Sequence, residues 1–209
     1  MFSFPKYRRS RHAMKRLYNR IFRFYGSIEK SLGPKIDEIV RQKIATLPNV
    51  SSCTALEYAC GSGLLSLKLA PLFKSVTCRD ASTGMLSRAR ERARRAGMNI
   101  DFREGDLLAI DEPAKSYDYA FVQFALHLFP PETEKKILKK LCTVARNAVF
   151  IVDHNRKWSL AAAVVEWMEG GYYDTFIKQD FSLIAQEIGC AKFEETEIEE
   201  CMVLTFYLL

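Results

Sequence analysis

From about residue 53 onward, short apolar runs alternate with helix-length amphipathic segments, and this alternation restricts the fold more than any other feature. The runs CTALEYA, SVTCRD, NIDFRE, YDYAFVQFAL and NAVFIVD suit buried strands. Between the first two, LLSLKLAPLF reads as a helix that stops near Pro71. Ser82 is placed to cap TGMLSRARERARRA, with Met85, Leu86, Ala89 and Ala93 facing inward and Gly97 as the stop. Pro130 and Pro131 open a further helix, in which Ile137, Leu138, Leu141 and Val144 recur at helical spacing. A helical segment is expected from about Leu160, broken at Gly170-Gly171, and Asp180 should cap a shorter helix ending at Gly189. The tail KFEETEIEECMVLTFYLL has no helix stop and reads as an antiparallel pair of strands. Strands that alternate with helices form a mostly parallel sheet with helices on both faces, an α/β doubly wound fold. Pro34 marks a break within the helical segment that precedes it.

The 209 residues suffice for one domain of ordinary size, taken as 49–209, with 1–48 as a basic helical cap. No apolar stretch reaches the roughly 18 residues of a spanning helix, and residues 1–23 lack the apolar core of a secretory signal. The six cysteines form no C-x-x-C pair and are read as reduced thiols of a cytoplasmic protein, neither a disulfide frame nor a zinc site. No metal site is expected. The net charge of +6 is unevenly spread: residues 1–28 carry eight bases and no acid, so the remainder is near neutral.

The stretch ALEYACGSGLL, residues 55–65, sets a carboxylate and two glycines at a strand-to-helix seam. Glycine permits a sharp turn and close approach of a ligand to the backbone, and a following helix offers unpaired N–H groups. Such a seam suits a nucleotide-like ligand at the carboxyl edge of the sheet. A tight turn without a ligand is the simpler alternative. Three acids bear on the choice. Glu57 ends the first strand, Asp80 the second, where it can accept from both ribose hydroxyls, and Asp106 follows the third. Together they would repel a pyrophosphate, and they suit a ligand with a cationic end and hydroxyls. Asp118 begins the fourth strand, at the far end, and is read as structural.

LEYACGSG resembles the first motif of the Rossmann-like S-adenosylmethionine-dependent methyltransferases, an acid followed by alternating glycines, except that Ala59 replaces the first glycine. VTCRDASTGML resembles the second motif, REGDLL the third and YDYAFVQFALHLF the fourth. The match runs over roughly residues 50–155. It implies a sheet of about seven strands with a reversed last strand, and S-adenosylmethionine as cofactor. It also implies cofactor contacts at Glu57, Ala59, Gly61, Gly63, Asp80, Ala81, Met85, Asp106, Leu107 and Gln123, with Asp106 near the adenine amine. Tyr25, in the N-terminal segment, could cover the ligand.

His127 follows the fourth strand and His154 the fifth, so both are candidates for acceptor positioning or proton removal, against the simpler role of a loop histidine bonding backbone. Tyr172 and Tyr173 either line a lid or pack on the sheet. The fourth motif lacks the Asn/Asp-Pro-Pro-aromatic box of enzymes that methylate exocyclic amines of DNA bases, and no Pro-Cys follows a strand. The resemblance therefore points to a small-molecule or lipid-like acceptor, with nucleic acid disfavoured. An NAD(P)-dependent oxidoreductase and a non-catalytic binding protein of the same fold are the other readings. In the basic arm, Met14, Leu17, Tyr18, Ile21 and Tyr25 recur at helical spacing. A cap over the cofactor, a targeting peptide and attachment to an anionic membrane surface all fit it, and the combination of cap and peripheral membrane contact is favoured.

Overall fold

The computed structural model describes residues 26–159 and 171–209. The basic arm, Tyr25 and the helical segment expected from Leu160 lie outside the described residues.

Seven strands form one sheet: β1 (Thr54–Tyr58), β2 (Ser75–Asp80), β3 (Asp101–Glu104), β4 (Tyr117–Gln123), β5 (Ala145–His154), β6 (Lys192–Ile198) and β7 (Cys201–Tyr207). Their order is β3-β2-β1-β4-β5-β7-β6. β1 to β5 pair in parallel, and β7 runs antiparallel to both β5 and β6. Glu199 and Glu200, both at positive φ, make the tight turn between β6 and β7. The expected α/β doubly wound sheet, antiparallel at its C-terminal end, is thus the observed one. The strand order reverses between β1 and β4, which puts a crevice at the carboxyl ends of the parallel strands.

The described helices are α1 (Gly26–Ile39), α2 (Ser66–Leu69), α3 (Thr83–Arg95), α4 (Pro131–Val144), α5 (Tyr173–Phe176) and α6 (Phe181–Ile188). Side chains alternate across the sheet, so each strand serves two cores. Leu56, Ala120 and Val122 join Ile137, Leu138 and Leu141 of α4 on one face. Ala55, Phe121 and Phe150 join Leu86 and Ala89 of α3 on the other.

The expected caps are present. The Ser82 side chain accepts from the Met85 N–H, and Asp180 accepts from the backbone N–H groups of Ser182 and Leu183. Gly189 ends α6 at φ 80°. Two expectations fail. Pro34 does not break its segment, because α1 runs through it and continues as a wider turn over Val40–Ile44. Ile36, Ile39 and Ile44 are fully buried, and their packing outweighs the hydrogen bond that proline removes. The helix expected over LLSLKLAPLF is regular only across Ser66–Leu69, and turns carry the chain on to Phe73. At the amino end of the sheet, Asp118 accepts from the Thr54 N–H at 2.8 Å and the Thr54 hydroxyl at 2.9 Å, fastening β1 to β4 far from the crevice.

Candidate active site

Every element of the seam sits at the carboxyl edge of the sheet. Ala59, Gly61 and Gly63 all take left-handed backbone, at φ 54°, 53° and 79°. Ala59 thus occupies a conformation that favours the glycine it replaces. A Cβ on Gly61 would meet nothing within 4 Å, so this backbone faces open space. A Cβ on Gly63 would come within 3.2 Å of Ala89, which shows why α3 packs closely here.

Asp80 holds the turn in place. Its Oδ2 accepts from the Gly61 N–H at 2.7 Å and its Oδ1 from the Ser82 N–H at 2.7 Å. One carboxylate thereby joins the glycine turn, the end of β2 and the start of α3. Glu57 lies deeper. It is fully buried, and its Oε2 accepts from the Ser66 hydroxyl and from the Cys78 thiol at 3.9 Å. Its Oε1 has no hydrogen-bond partner among the described residues. Burial pushes the Glu57 carboxyl up to about 8. Asp106 is half-buried and accepts from the Leu108 N–H at 2.9 Å, capping the short turn Leu107–Ala109. Met85 and Leu107 are buried, while Ala81 and Gln123 are half-buried at the ends of β2 and β4.

The fold also joins the two histidines at the ends of β4 and β5. Their ring centroids are 4.8 Å apart. Between them sits Asp153, fully buried, which the sequence reading missed although it directly precedes His154. Oδ1 of Asp153 lies 2.5 Å from Nδ1 of His127 and accepts from the His154 N–H at 2.8 Å. Its Oδ2 lies 3.4 Å from the donating His127 backbone N–H. One side chain therefore positions both histidine-bearing loops. Each of the three residues offers a potential metal-ligand atom, all within 4.8 Å of one another. The Nδ1–Oδ1 separation argues for a hydrogen-bonded pair instead, because two ligands bound at about 2.1 Å to one ion stand roughly 3 Å apart.

Three rings surround the half-buried His154: Phe124 at 5.4 Å, Tyr173 at 5.0 Å and His127, all edge-on. Phe124 adopts φ 46°, an uncommon conformation for a bulky residue. Of the two candidate lid tyrosines, Tyr173 is buried, its hydroxyl accepting from the Ser159 N–H and donating to the Lys157 carbonyl. It packs within the site. Behind Asp153 lies Glu134 of α4, also missed, fully buried with one oxygen accepting from Gln179. Burial pushes its carboxyl up to about 8, and nearby Asp153 adds to that push. The only sequence signal for Glu134 is a position one turn before Leu138 on the inner stripe of α4.

The sheet order, with its reversed last strand, is that of a Rossmann-like fold. Residues 55–148 match the family model described as a methyltransferase domain. No curated protein matches the chain in sequence. Among solved structures, the chain is similar to magnesium protoporphyrin IX methyltransferase from Synechocystis PCC 6803 with bound SAH. Identity is 17%, the match covers 96% of this chain and 100% of that one, and the TM-score is 0.71. It is also similar to a SAM-dependent methyltransferase from Aquifex aeolicus, at 17% identity over 99% of this chain and 100% of that one, with a TM-score of 0.63. PigF with SAH matches at 17% identity over 94% of this chain and 61% of that one, with a TM-score of 0.70. The chain thus shares the Rossmann-like fold of these methyltransferases, and a little under half of it matches the methyltransferase-domain model.

Proposed function

We propose that the protein transfers the methyl group of S-adenosylmethionine to a small-molecule acceptor. The observation that carries this reading is the shared sheet edge. The Asp80-braced glycine turn, at the ends of β1 and β2, and the His127–Asp153–His154 group, at the ends of β4 and β5, stand at the same carboxyl edge of one parallel sheet. The cofactor, when bound, supplies an activated methyl group on a sulfonium.

The chain's own residues do the rest. Asp80 accepts from the ribose hydroxyls, and the open backbone at Gly61 lets the ligand approach closely. Asp106, Leu107 and Met85 lie toward the adenine, and Ala81 and Gln123 flank the crevice. Glu57 supports the turn from beneath. The carboxylates of Asp80 and Asp106 favour a cationic ligand and disfavour a pyrophosphate. On the acceptor side, His154 and His127 hold the acceptor and remove its proton, with Asp153 fixing the orientation of the His127 ring. Alignment of acceptor and methyl carbon provides most of the acceleration.

Residues 1–48 form a cap whose basic face meets an anionic lipid surface, and the protein works in the cytoplasm at or near such a surface. This rests on the eight bases and absent acids of residues 1–28. Among the described residues, no helix is long and apolar enough to cross a membrane. Sedimentation with liposomes of increasing anionic lipid should favour the whole chain over one lacking residues 1–12. Equal binding by the two forms contradicts the surface role.

The activity is tested with methyl-labelled S-adenosylmethionine and a fractionated small-molecule extract. At limiting cofactor, label should pass to a low-mass acceptor with the parent protein and far more slowly with Asp80→Ala. Label that stays on the cofactor across all fractions contradicts the proposal.

A further inference from the structure

The connection from β3 to β4 must cross the ends of β2 and β1, because the sheet order is β3-β2-β1-β4. Among the elements of that connection, only the short turn Leu107–Ala109 is regular. Asp106 and Leu107 lie at its start. Leu107 and Ile110 are buried in the core beneath it. A connection so short of regular structure needs another restraint to hold its residues in one place.

That restraint is polar and nearly buried. Tyr58 of β1 and Arg79 of β2 are register partners. The Tyr58 hydroxyl donates to Oε2 of Glu112 at 2.5 Å, and Nε of Arg79 donates to Oε1 of the same carboxylate at 2.8 Å. The Arg79 and Glu112 side chains are 14% and 4% exposed, so solvent screens the pair only weakly. Burial and the adjacent Glu112 carboxylate push the Tyr58 hydroxyl upward, which keeps it protonated as a donor. The aliphatic stem of Arg79 lies across Gly105. A Cβ there would stand 2.9 Å from Cδ and 3.0 Å from Cβ of Arg79. Gly105 in turn donates its N–H to the Asp80 carbonyl at 3.0 Å. The residue before Asp106 is thus tied to β2 on one side and overlaid by Arg79 on the other.

We propose that Tyr58, Arg79 and Glu112 are positioning residues for the cofactor: a buried clamp that fixes the β3–β4 crossover, and with it Asp106 and Leu107, against the ends of β1 and β2. The inference rests on the reading that Asp106 and Leu107 face the adenine. The Glu112 carboxylate is taken up by Tyr58 and Arg79. It acts through the segment it anchors, and the clamp should set affinity for the adenosine half of the cofactor while leaving the amino-acid half unaffected.

The test is calorimetry of the whole chain with S-adenosylhomocysteine and with 5′-methylthioadenosine, which shares the adenosine and lacks the amino-acid group. Losing a charge-assisted bond from the clamp should weaken both ligands by the same factor, about tenfold, in Glu112→Gln. Tyr58→Phe should weaken both by a smaller common factor, and Glu112→Asp should recover part of the loss. A purely structural role would lower the urea midpoint and leave both affinities within about twofold at 25 °C. That result, or a loss confined to S-adenosylhomocysteine, overturns the proposal. Where Glu112→Gln does not fold, Tyr58→Phe and Arg79→Lys decide by the same criteria. Asp106→Asn separates the two readings. If it leaves both ligands unaffected, the adenine assignment fails. If it weakens both while the clamp variants do not, only the clamp fails.

Discussion

Nδ1 of His127 lies 2.5 Å from Oδ1 of Asp153 in a buried pair that joins the ends of β4 and β5. A carboxylate in that position fixes the ring's orientation and tautomer. The pair therefore suits an acceptor whose proton must leave during methyl transfer.

Asp153→Asn should slow transfer by about 10²-fold or more once an acceptor is identified, because general-base help contributes about 10²–10⁴-fold. Affinity for S-adenosylhomocysteine should stay within about twofold, as expected when only transition-state help is lost. His154→Ala tests the half-buried partner by the same comparison. Unchanged turnover in Asp153→Asn, His127→Ala and His154→Ala would remove the group from the mechanism.

Stability should fall as pH rises through the neutral range. Glu57 and Glu134 both titrate near pH 8 in the folded chain, against an ordinary value of 4.5. Between those limits the folded state holds protons that the unfolded state has released. Each group then lowers unfolding free energy by about 1.4 kcal/mol per pH unit, and its contribution is intact only below about pH 4.5. Glu134→Gln removes one such group. Urea unfolding from pH 5 to pH 8 should show the variant gaining stability relative to the parent as pH rises. A constant difference between the two would mean that Glu134 is ionised throughout.

Ala59→Gly should stabilise the fold. An alanine in left-handed backbone costs about 1–2 kcal/mol, and glycine's greater freedom in the unfolded chain offsets part of the gain. The expected net effect is up to about 1 kcal/mol, read as a higher urea midpoint at unchanged slope. A lower midpoint would show that the alanine methyl makes packing contacts worth more than the strain.

The sheet was legible because its strands are apolar runs bounded by caps that work locally: Ser82, Asp180 and Gly189 act where the sequence places them. Pro34 misled because its helix is held by the distant packing of Ile36 and Ile39, which no local signal reveals. The placement of Glu57, Gly61, Asp80, His127 and His154 at the carboxyl edge was legible because each follows a strand or lies at its end. Asp153, Glu134 and the Tyr58–Arg79–Glu112 clamp could not be found, since their roles depend on partners from 20 or more residues away in sequence. Ala59 was visible as a departure from the motif, but its left-handed conformation emerges only from the folded turn.

The central claim is that the braced glycine turn is a cofactor site, and calorimetry with S-adenosylhomocysteine tests it most directly. The parent chain should bind S-adenosylhomocysteine and show no heat with NADH. Asp80→Ala should weaken that binding about 10–100-fold, since it removes charge-assisted bonds worth about 1.5–3 kcal/mol. Absence of binding by a folded parent chain, or full affinity in a folded Asp80→Ala variant, would contradict the account.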